Sequence, residues 1–380
     1  MIVKKTKILF ILPAFVHGGA EVLVRNMLLG GFNSIYEVNV CVTGKEIGTF
    51  MEKDLYDAGV AVTYLGNNCK SNYSIVYELY KLIKNLKPHI IHTHLNSIGH
   101  ALIPTFINRV PVRIHTVHNI ANKEGRAPLR ALSWIAFNLF GFIPIGISRT
   151  IGKSIQNYYR IKKVPIVNNG IPIEEYKLQS QSRYSIRKDL CLSEDKFVCI
   201  HVGRFFKQKN HKNLIIAFSF VLKKCPNAVL LLVGDGALKK EIERFTSSMG
   251  ISNDVIFLGE RADVPSLLSA SDLFVFSSDW EGLPLAVIEA LAAGLPVVST
   301  DVGGMCDLVI NFDNGYLVNK QAPEEFAEAI LKIALNPSHK IALSQAAINH
   351  VEENFHIRNT ILGHEKLYLQ SLKDAGLNIL

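Results

Sequence analysis

Short apolar runs recur along the chain, and most of the segments between them carry apolar residues at three- and four-residue spacing. In the first half the runs are KILFILPAF, VNVCVTG, VAVTYLG, HIIHTH, VRIHTVHN and IPIGIS, with helical patterns starting at Ala20 and spanning about 74 to 86. The second half repeats the alternation with KFVCIHVGR, AVLLLVGDG, DVIFLG, DLFVFSS and PVVST. Runs that stay apolar at successive positions predict strands covered on both faces, and alternation with helices predicts parallel sheets. Two α/β halves are therefore expected, each with polar chemistry at the carboxyl ends of its strands. The segment KKVPIVNNGIP, residues 162 to 172, is read as a strand and turn-rich exit closing the first half, and from residue 323 the pattern is helical.

Length supports the division, because 380 residues exceed what one hydrophobic core usually spans. With 48% hydrophobic and 19% charged residues the chain can bury large cores, which excludes intrinsic disorder. The net charge of +8 is uneven: residues 1–170 hold 20 Lys and Arg against 8 Asp and Glu, whereas residues 171–380 hold 21 against 25. No nucleic-acid motif accompanies the basic half, so an anionic membrane surface is its expected partner. The 6 cysteines show neither C-x-x-C pairing nor metal-ligand spacing, as reduced thiols in a cytosolic protein would. MIVKKTKILFILPAF has lysines before an apolar run, like a signal peptide, but no small-x-small cleavage site follows. It is read as a first strand. ALSWIAFNLFGFIPIGI is interrupted by Asn138, Gly141 and Pro144, and is read as a buried helix followed by a strand rather than a membrane span, with partial membrane contact as the alternative.

The most informative stretch is DWEGLPLAVIEALAAGLPVVSTDVGG, residues 279–304. Pro284 suits a first helical turn and Gly294 with Pro296 supplies the stop, predicting a helix from about 284 to 293. The apolar run after it predicts a buried strand, so the helix N-terminus opens onto a strand-end crevice. Free N–H groups there attract phosphate, and Gly282 allows close backbone approach. Glu281 and Glu289 offer carboxylates at two depths, which suits a diphosphate flanked by two hydroxyl-rich rings.

This stretch resembles the signature of the retaining glycosyltransferases of family 4, matching at Glu281, Gly282, Pro284, Glu289, Gly294 and Pro296. The resemblance implies the GT-B architecture, with two Rossmann-like doubly wound domains facing a central cleft. It places an acceptor-binding domain at 1–170, ending at the Asn168-Asn169-Gly170 turn, and a nucleotide-sugar domain at 171–355. A last helix over 356–380 would cross back to the first domain. It implies that Glu281 contacts the donor sugar, that Glu289 contacts the ribose, and that Gly282, Leu283, Pro284 and Leu285 line the donor site.

Other segments join the pattern. After the first strand, Gly18 and Gly19 open a helix where the family's loop approaches the donor phosphates. In GRFFKQKN, Arg204 and Lys209 stand near a strand end as fixed cations suited to a diphosphate, and the family uses an Arg and a Lys at this spacing in that way. The loop at Glu260 and Arg261 corresponds to the base pocket. His118 in TVHN corresponds to a histidine that contacts the donor sugar or orients the reacting groups. His92 and His94 share one face of a strand and, with Asn119, are assigned to the acceptor side; a metal site there lacks carboxylate and cysteine ligands, and a satisfied core histidine is the alternative for His92. The G-x-G of LLVGDGALKK lacks the third glycine of a dinucleotide fingerprint, which argues against NAD. The sequence departs from the family after the glycine pair, where Gly303-Gly304-Met305-Cys306-Asp307 replaces a Pro-Glu turn and Asp307 is the candidate substitute for the glutamate.

The expected activity is anomer-retaining transfer of a hexose or N-acetylhexosamine from a nucleotide sugar, UDP-linked rather than GDP-linked. The donor is a substrate, and no cofactor or metal is expected, since no Asp-x-Asp motif is present. Arg204, Lys209, Glu281 and His118 are the expected catalytic set. The acceptor is expected to be a lipid-linked saccharide of cell-surface polysaccharide assembly, on the cytoplasmic face of the membrane. A hydrolase using Glu281 and Glu289 leaves Arg204 and Lys209 without a purpose. A nucleotide-sugar epimerase on the same architecture, or a non-catalytic partner of another transferase, are the remaining alternatives.

Overall fold

A computed structural model describes residues 5–16, 18–69, 71–177 and 180–377. The last residues of the expected terminal helix, 378–380, lie outside this range. The chain divides into two compact units, Met1–Gly170 with Ile357–Leu380, and Ile171–His356.

The first unit is built on β1 (Lys7–Leu12), β2 (Glu37–Val42), β3 (Ala61–Tyr64), β4 (Ile90–His94), β5 (Val112–Val117) and β6 (Phe142–Gly146). All neighbours are parallel, in the order β3-β2-β1-β4-β5-β6. The continuous apolar run of β1 has a simple cause. Ile8, Phe10 and Leu12 enter one core while Leu9 and Ile11 enter the core on the opposite face, so a polar residue at any of these positions would be buried. The chain order reverses between β1 and β4; His92 and His94 lie on β4, His115 on β5 and His118 just after it.

The second unit contains β7 (Phe197–Val202), β8 (Ala228–Val233), β9 (Val255–Gly259), β10 (Leu273–Phe276), β11 (Val297–Thr300) and β12 (Gly315–Val318). Their order, β12-β11-β10-β7-β8-β9, repeats that of the first sheet, again with parallel neighbours. The switch point lies between β7 and β10, where open α/β sheets leave a crevice outside the strand ends. Both sheets are thus Rossmann-like.

Three local expectations change. The strand foreseen within residues 162–172 is reduced to isolated bridges, Gly146 with Ile166 and Ile171 with His356, because Pro165 lacks an N–H for a ladder. Strand β12 was not foreseen: it is only four residues long and starts at Gly315, the last residue of the Asp313-Asn314-Gly315 turn. The helix Ala127–Leu139 buries only a narrow stripe, with Leu132, Trp134 and Leu139 exposed, so the buried helix expected there is half-buried.

Candidate functional site

At the carboxyl ends of β7, β10 and β11, three loops are tied into one structure. After β7 the chain passes Arg204 and makes a tight turn over Lys207–Lys209, entering the next helix through Asn210 in the left-handed conformation (φ 46). After β10, Ser277 donates its hydroxyl to the carbonyl oxygens of Lys209 and Asn210, at 2.9 and 3.1 Å. Asn210 Nδ2 donates to Asp279 Oδ1 at 2.9 Å, and Gln208 Nε2 donates to the Trp280 carbonyl at 2.8 Å. After β11, Gly303 (φ +59) lies so close to this strand end that a Cβ would fall 1.9 Å from the Glu281 carbonyl oxygen. Gly304 N–H then donates to the Gly282 carbonyl at 2.8 Å. The glycine pair therefore clamps the Glu281–Gly282 turn, and Asp307 falls in the short helix Met305–Leu308 that follows.

The helix after this turn spans Leu285–Ala292. Pro284 is its N-cap, in extended conformation (φ −71, ψ 120), rather than a residue of its first turn as expected. The reason is local: Leu283 and Leu285 are both buried, and an extended residue between them sends both side chains inward. The helix ends with Gly294 at φ 73, where Gly294 and Leu295 N–H groups close onto Leu291 and Ala290.

Within this frame the Lys209 ammonium lies 2.7 Å from Glu281 Oε1 and 4.5 Å from the centre of the Phe276 ring. Arg204 is exposed, with its guanidinium 5.2 Å over the Phe206 ring and no acidic partner among the described residues. One cation is thus held in an ion pair and the other is available for an incoming anion. Burial pushes the Glu289 carboxyl up to about 7, against the hydrogen bond from Tyr176, with Glu175 adding to the rise. Arg261 forms a two-pronged pair with Asp263, 2.7 and 2.6 Å, so its guanidinium is already engaged.

Behind Lys209, His211 stacks on Phe205 with centroids 4.1 Å apart and packs against His201 at 4.7 Å. Burial lowers His211 to about 2 and His201 to about 4, so both rings are neutral and add no positive charge beside Lys209.

In the first unit, Gly18 is the N-cap of the helix Gly19–Met27, and a Cβ on Gly18 would meet Glu21 Oε2 at 2.5 Å. His118 follows β5, and its Nε2 is 2.9 Å from His94 Nδ1. His92 and His94 are fully buried: their rings stack at 4.4 Å, and His92 bonds Thr116 Oγ1 at 2.7 Å and the Tyr368 hydroxyl at 2.5 Å. Neither ring reaches the surface, which replaces their assignment as acceptor contacts. His92 is a satisfied core histidine, and His94 stands behind His118. Among the described residues no group of three or more His, Cys, Asp or Glu could hold a metal ion. Asn119 caps its own turn, accepting from Ile120 N–H at 2.8 Å.

Sequence reasoning missed three residues. Glu124 is buried and accepts from the His118 backbone N–H at 3.3 Å, fixing the loop that carries His118 and Asn119; burial raises its carboxyl to about 7. Its one signal was a lone acid amid Lys123, Arg126 and Arg130. Tyr176 against Glu289 and Asn210 against Asp279 had no local signal, since each pair joins distant segments. The helices Ile98–Ile107 and Ala127–Leu139 pack together and expose Ile103, Phe106, Ile107, Leu132, Trp134 and Leu139. No helix of the described residues is long and apolar enough to cross a membrane.

Comparison with known proteins bears on both units. The family described as Glycosyl transferases group 1 matches residues 182–350, and Glycosyltransferase Family 4 matches residues 17–175. The UDP-Gal:alpha-D-GlcNAc-diphosphoundecaprenol alpha-1,3-galactosyltransferase of Escherichia coli is 28% identical over 89% of this chain and 90% of its own. The capsular polysaccharide biosynthesis glycosyltransferase CapM of Staphylococcus aureus is 26% identical over 80% of this chain and 84% of its own. Among solved structures, Anabaena HepE in complex with UDP-glucose superposes with a TM-score of 0.84 at 22% identity, covering 97% of this chain and 99% of that one.

Proposed function

The chain belongs to the family 4 glycosyltransferases and has the GT-B fold, and on that premise we propose that it transfers a hexose or N-acetylhexosamine from a UDP-sugar to a lipid-linked saccharide, with retention of anomeric configuration and without a metal ion. The observation that carries this reading is the pairing of Lys209 with Glu281 just ahead of the helix Leu285–Ala292, together with an exposed Arg204 after β7 that has no acidic partner among the described residues. A leaving nucleoside diphosphate gains negative charge as the glycosidic bond breaks. Arg204, Lys209 and the first-turn N–H groups stabilise that charge without reorganising, and such preorganised stabilisation is usually the greatest contribution a site of this kind makes to rate. Glu281, neutralised by Lys209, accepts hydrogen bonds from sugar hydroxyls, and Glu289 accepts them from the ribose. His118 hydrogen-bonds the transferring sugar as a neutral ring, because burial lowers it to about 3.

The choice of donor and acceptor class leans on the Escherichia coli relative, whose name specifies a UDP-sugar and a diphosphoundecaprenol-linked acceptor. CapM points to the same setting of cell-surface polysaccharide synthesis. Such an acceptor is anchored in the membrane, and the exposed apolar residues of helices Ile98–Ile107 and Ala127–Leu139, with Arg109, Arg126 and Arg130 on or beside them, suit reversible contact with an anionic cytoplasmic leaflet. The test is a donor screen by thermal unfolding. UDP and one UDP-sugar should raise the melting temperature in a concentration-dependent way, whereas GDP-sugars and NAD should not. No shift with any nucleotide sugar would remove the proposal.

A further inference from the structure

The first unit contains a file of imidazoles, three of them buried, that leads from its core to the half-buried His118. Along it, His364 lies 5.5 Å from His92, His92 stacks 4.4 Å from His94, and His94 is 5.2 Å from His118, centre to centre. Phe10 flanks the middle pair at 5.3 and 6.0 Å. Three of the rings are supplied by β4 and the segment after β5; His364 comes from the helix Ile357–Asp374. Thr360 O accepts from His364 Nδ1 at 2.9 Å, which fixes a proton on that nitrogen.

We propose that His94 is the positioning residue for His118: its Nδ1–H donates to His118 Nε2, so that His118 carries its own proton on Nδ1 and offers the substrate a neutral N–H donor. This deepens the glycosyltransferase reading and rests on it for the identity of the substrate, a sugar hydroxyl or phosphate oxygen. Two observations set the direction of the proton. Each neutral ring holds one proton, and the 2.9 Å contact between His94 Nδ1 and His118 Nε2 takes only one. His94 Nε2 is buried with no partner among the described residues. Were the bond reversed, His94 would carry its proton on that nitrogen, as an orphaned buried N–H. Orphaned buried donors are rarer than unsatisfied acceptors, because each forfeits its hydrogen bond to water without replacement. The forward arrangement buries only a lone pair there.

The consequence for chemistry is specific. A His118 ring whose Nε2 lone pair is occupied and whose Nδ1 bears hydrogen has no basic nitrogen left. It orients and polarises, but it does not take the acceptor proton. The neutral state is supported by burial and by the neighbouring histidines, which hold both rings far below the ordinary imidazole range.

The test is nitrogen NMR of the full chain labelled with 15N-histidine, reading the two ring nitrogens of His118. The expected spectrum has a protonated Nδ1 and an unprotonated Nε2, unchanged between pH 8 and 6. His94→Asn places an amide N–H where Nδ1–H stood, so it should keep that spectrum and hold turnover within about threefold of wild type. His94→Leu should lose the tautomer preference and at least about tenfold in kcat, the equivalent of one hydrogen bond in the transition state. A protonated Nε2 on His118, titration near pH 6.5, or equal activity of the Leu and Asn variants would overturn the proposal. The wild-type spectrum decides even if the Leu variant fails to fold. If no nucleotide sugar is turned over, the functional reading fails separately, and the tautomer of His118 still decides the role of His94.

Discussion

Lys209 holds its ammonium 2.7 Å from Glu281, so the carboxylate expected to meet the sugar is neutralised before any donor arrives. Arg204, one turn of chain earlier, has no such partner among the described residues. The two cations assigned to one diphosphate therefore differ in what they do for the fold.

That difference gives the first prediction. Arg204→Ala should lower transfer by at least about 100-fold while shifting stability by less than about 0.5 kcal/mol, because an exposed side chain is removed. Lys209→Ala should lose a similar factor in transfer and also about 3 kcal/mol of stability, because Glu281 stays buried without its cation. Adding Glu281→Gln to Lys209→Ala should recover much of that stability. Denaturant unfolding with steady-state rates checks all three, and equal stability losses for Arg204→Ala and Lys209→Ala would contradict the pairing.

The glutamates separate by ligand. Glu289→Ala should weaken binding of UDP itself, whereas Glu281→Ala should leave UDP binding near wild type and reduce affinity for the UDP-sugar. Calorimetry with both ligands measures this. Because Glu289 is raised to about 7, UDP affinity in the wild type should fall as pH drops below 7 and its carboxylate is lost. A loss of UDP affinity as large in Glu281→Ala as in Glu289→Ala would refute the division.

Stability should depend on pH with two opposing signs. Glu124 and Glu289, each raised to about 7, favour the folded state fully below their unfolded value near 4.5, and that contribution is lost as pH rises to 7. His92, His94, His118 and His364, the buried His115 on β5, and His201 and His211 of the second unit are lowered, so their contribution is present above pH 6.5 and is lost as pH falls. Each group contributes a slope of about 1.4 kcal/mol per pH unit, so these seven histidines outweigh the two carboxyls below pH 6. The melting temperature should drop steeply from pH 6.5 to 5. A flat profile over that interval would show that these histidines are not held neutral in the folded state.

Much of this was legible in sequence, for identifiable reasons. Continuous apolar runs such as that of β1 revealed strands covered on both faces, and the glycines and prolines around Glu281 and Glu289 punctuated one helix and its entry. The clamp of Gly303 on Glu281 was not legible, because it depends on two strand ends meeting in space. The same holds for Lys209 with Glu281, His94 with His118, and Tyr176 with Glu289, each pair brought together by parallel strands or by segments far apart in the chain. Alternation on β4 did place His92 and His94 on one face, but period two cannot tell a buried face from one lining a crevice. Pro165 shows the opposite failure, where an apolar run resembled a strand that the missing N–H prevents.

Membrane contact is tested by vesicle sedimentation. The protein should bind vesicles containing anionic lipid, bind less as salt rises, and lose most binding when Lys123, Arg126 and Arg130 are neutralised together or when Phe106 and Trp134 are replaced by Ser. Recovery in the supernatant at low salt would redirect the search to a soluble acceptor.

The most direct test of the central claim is the product of a reaction containing the donor selected by thermal unfolding, a diphosphopolyprenyl-linked saccharide and excess EDTA. Free UDP should appear with a lengthened saccharide whose new linkage is α when the donor is α-linked, seen as a small anomeric coupling by proton NMR. A β-linked product, free sugar released without acceptor, or activity that returns only with added magnesium would contradict it.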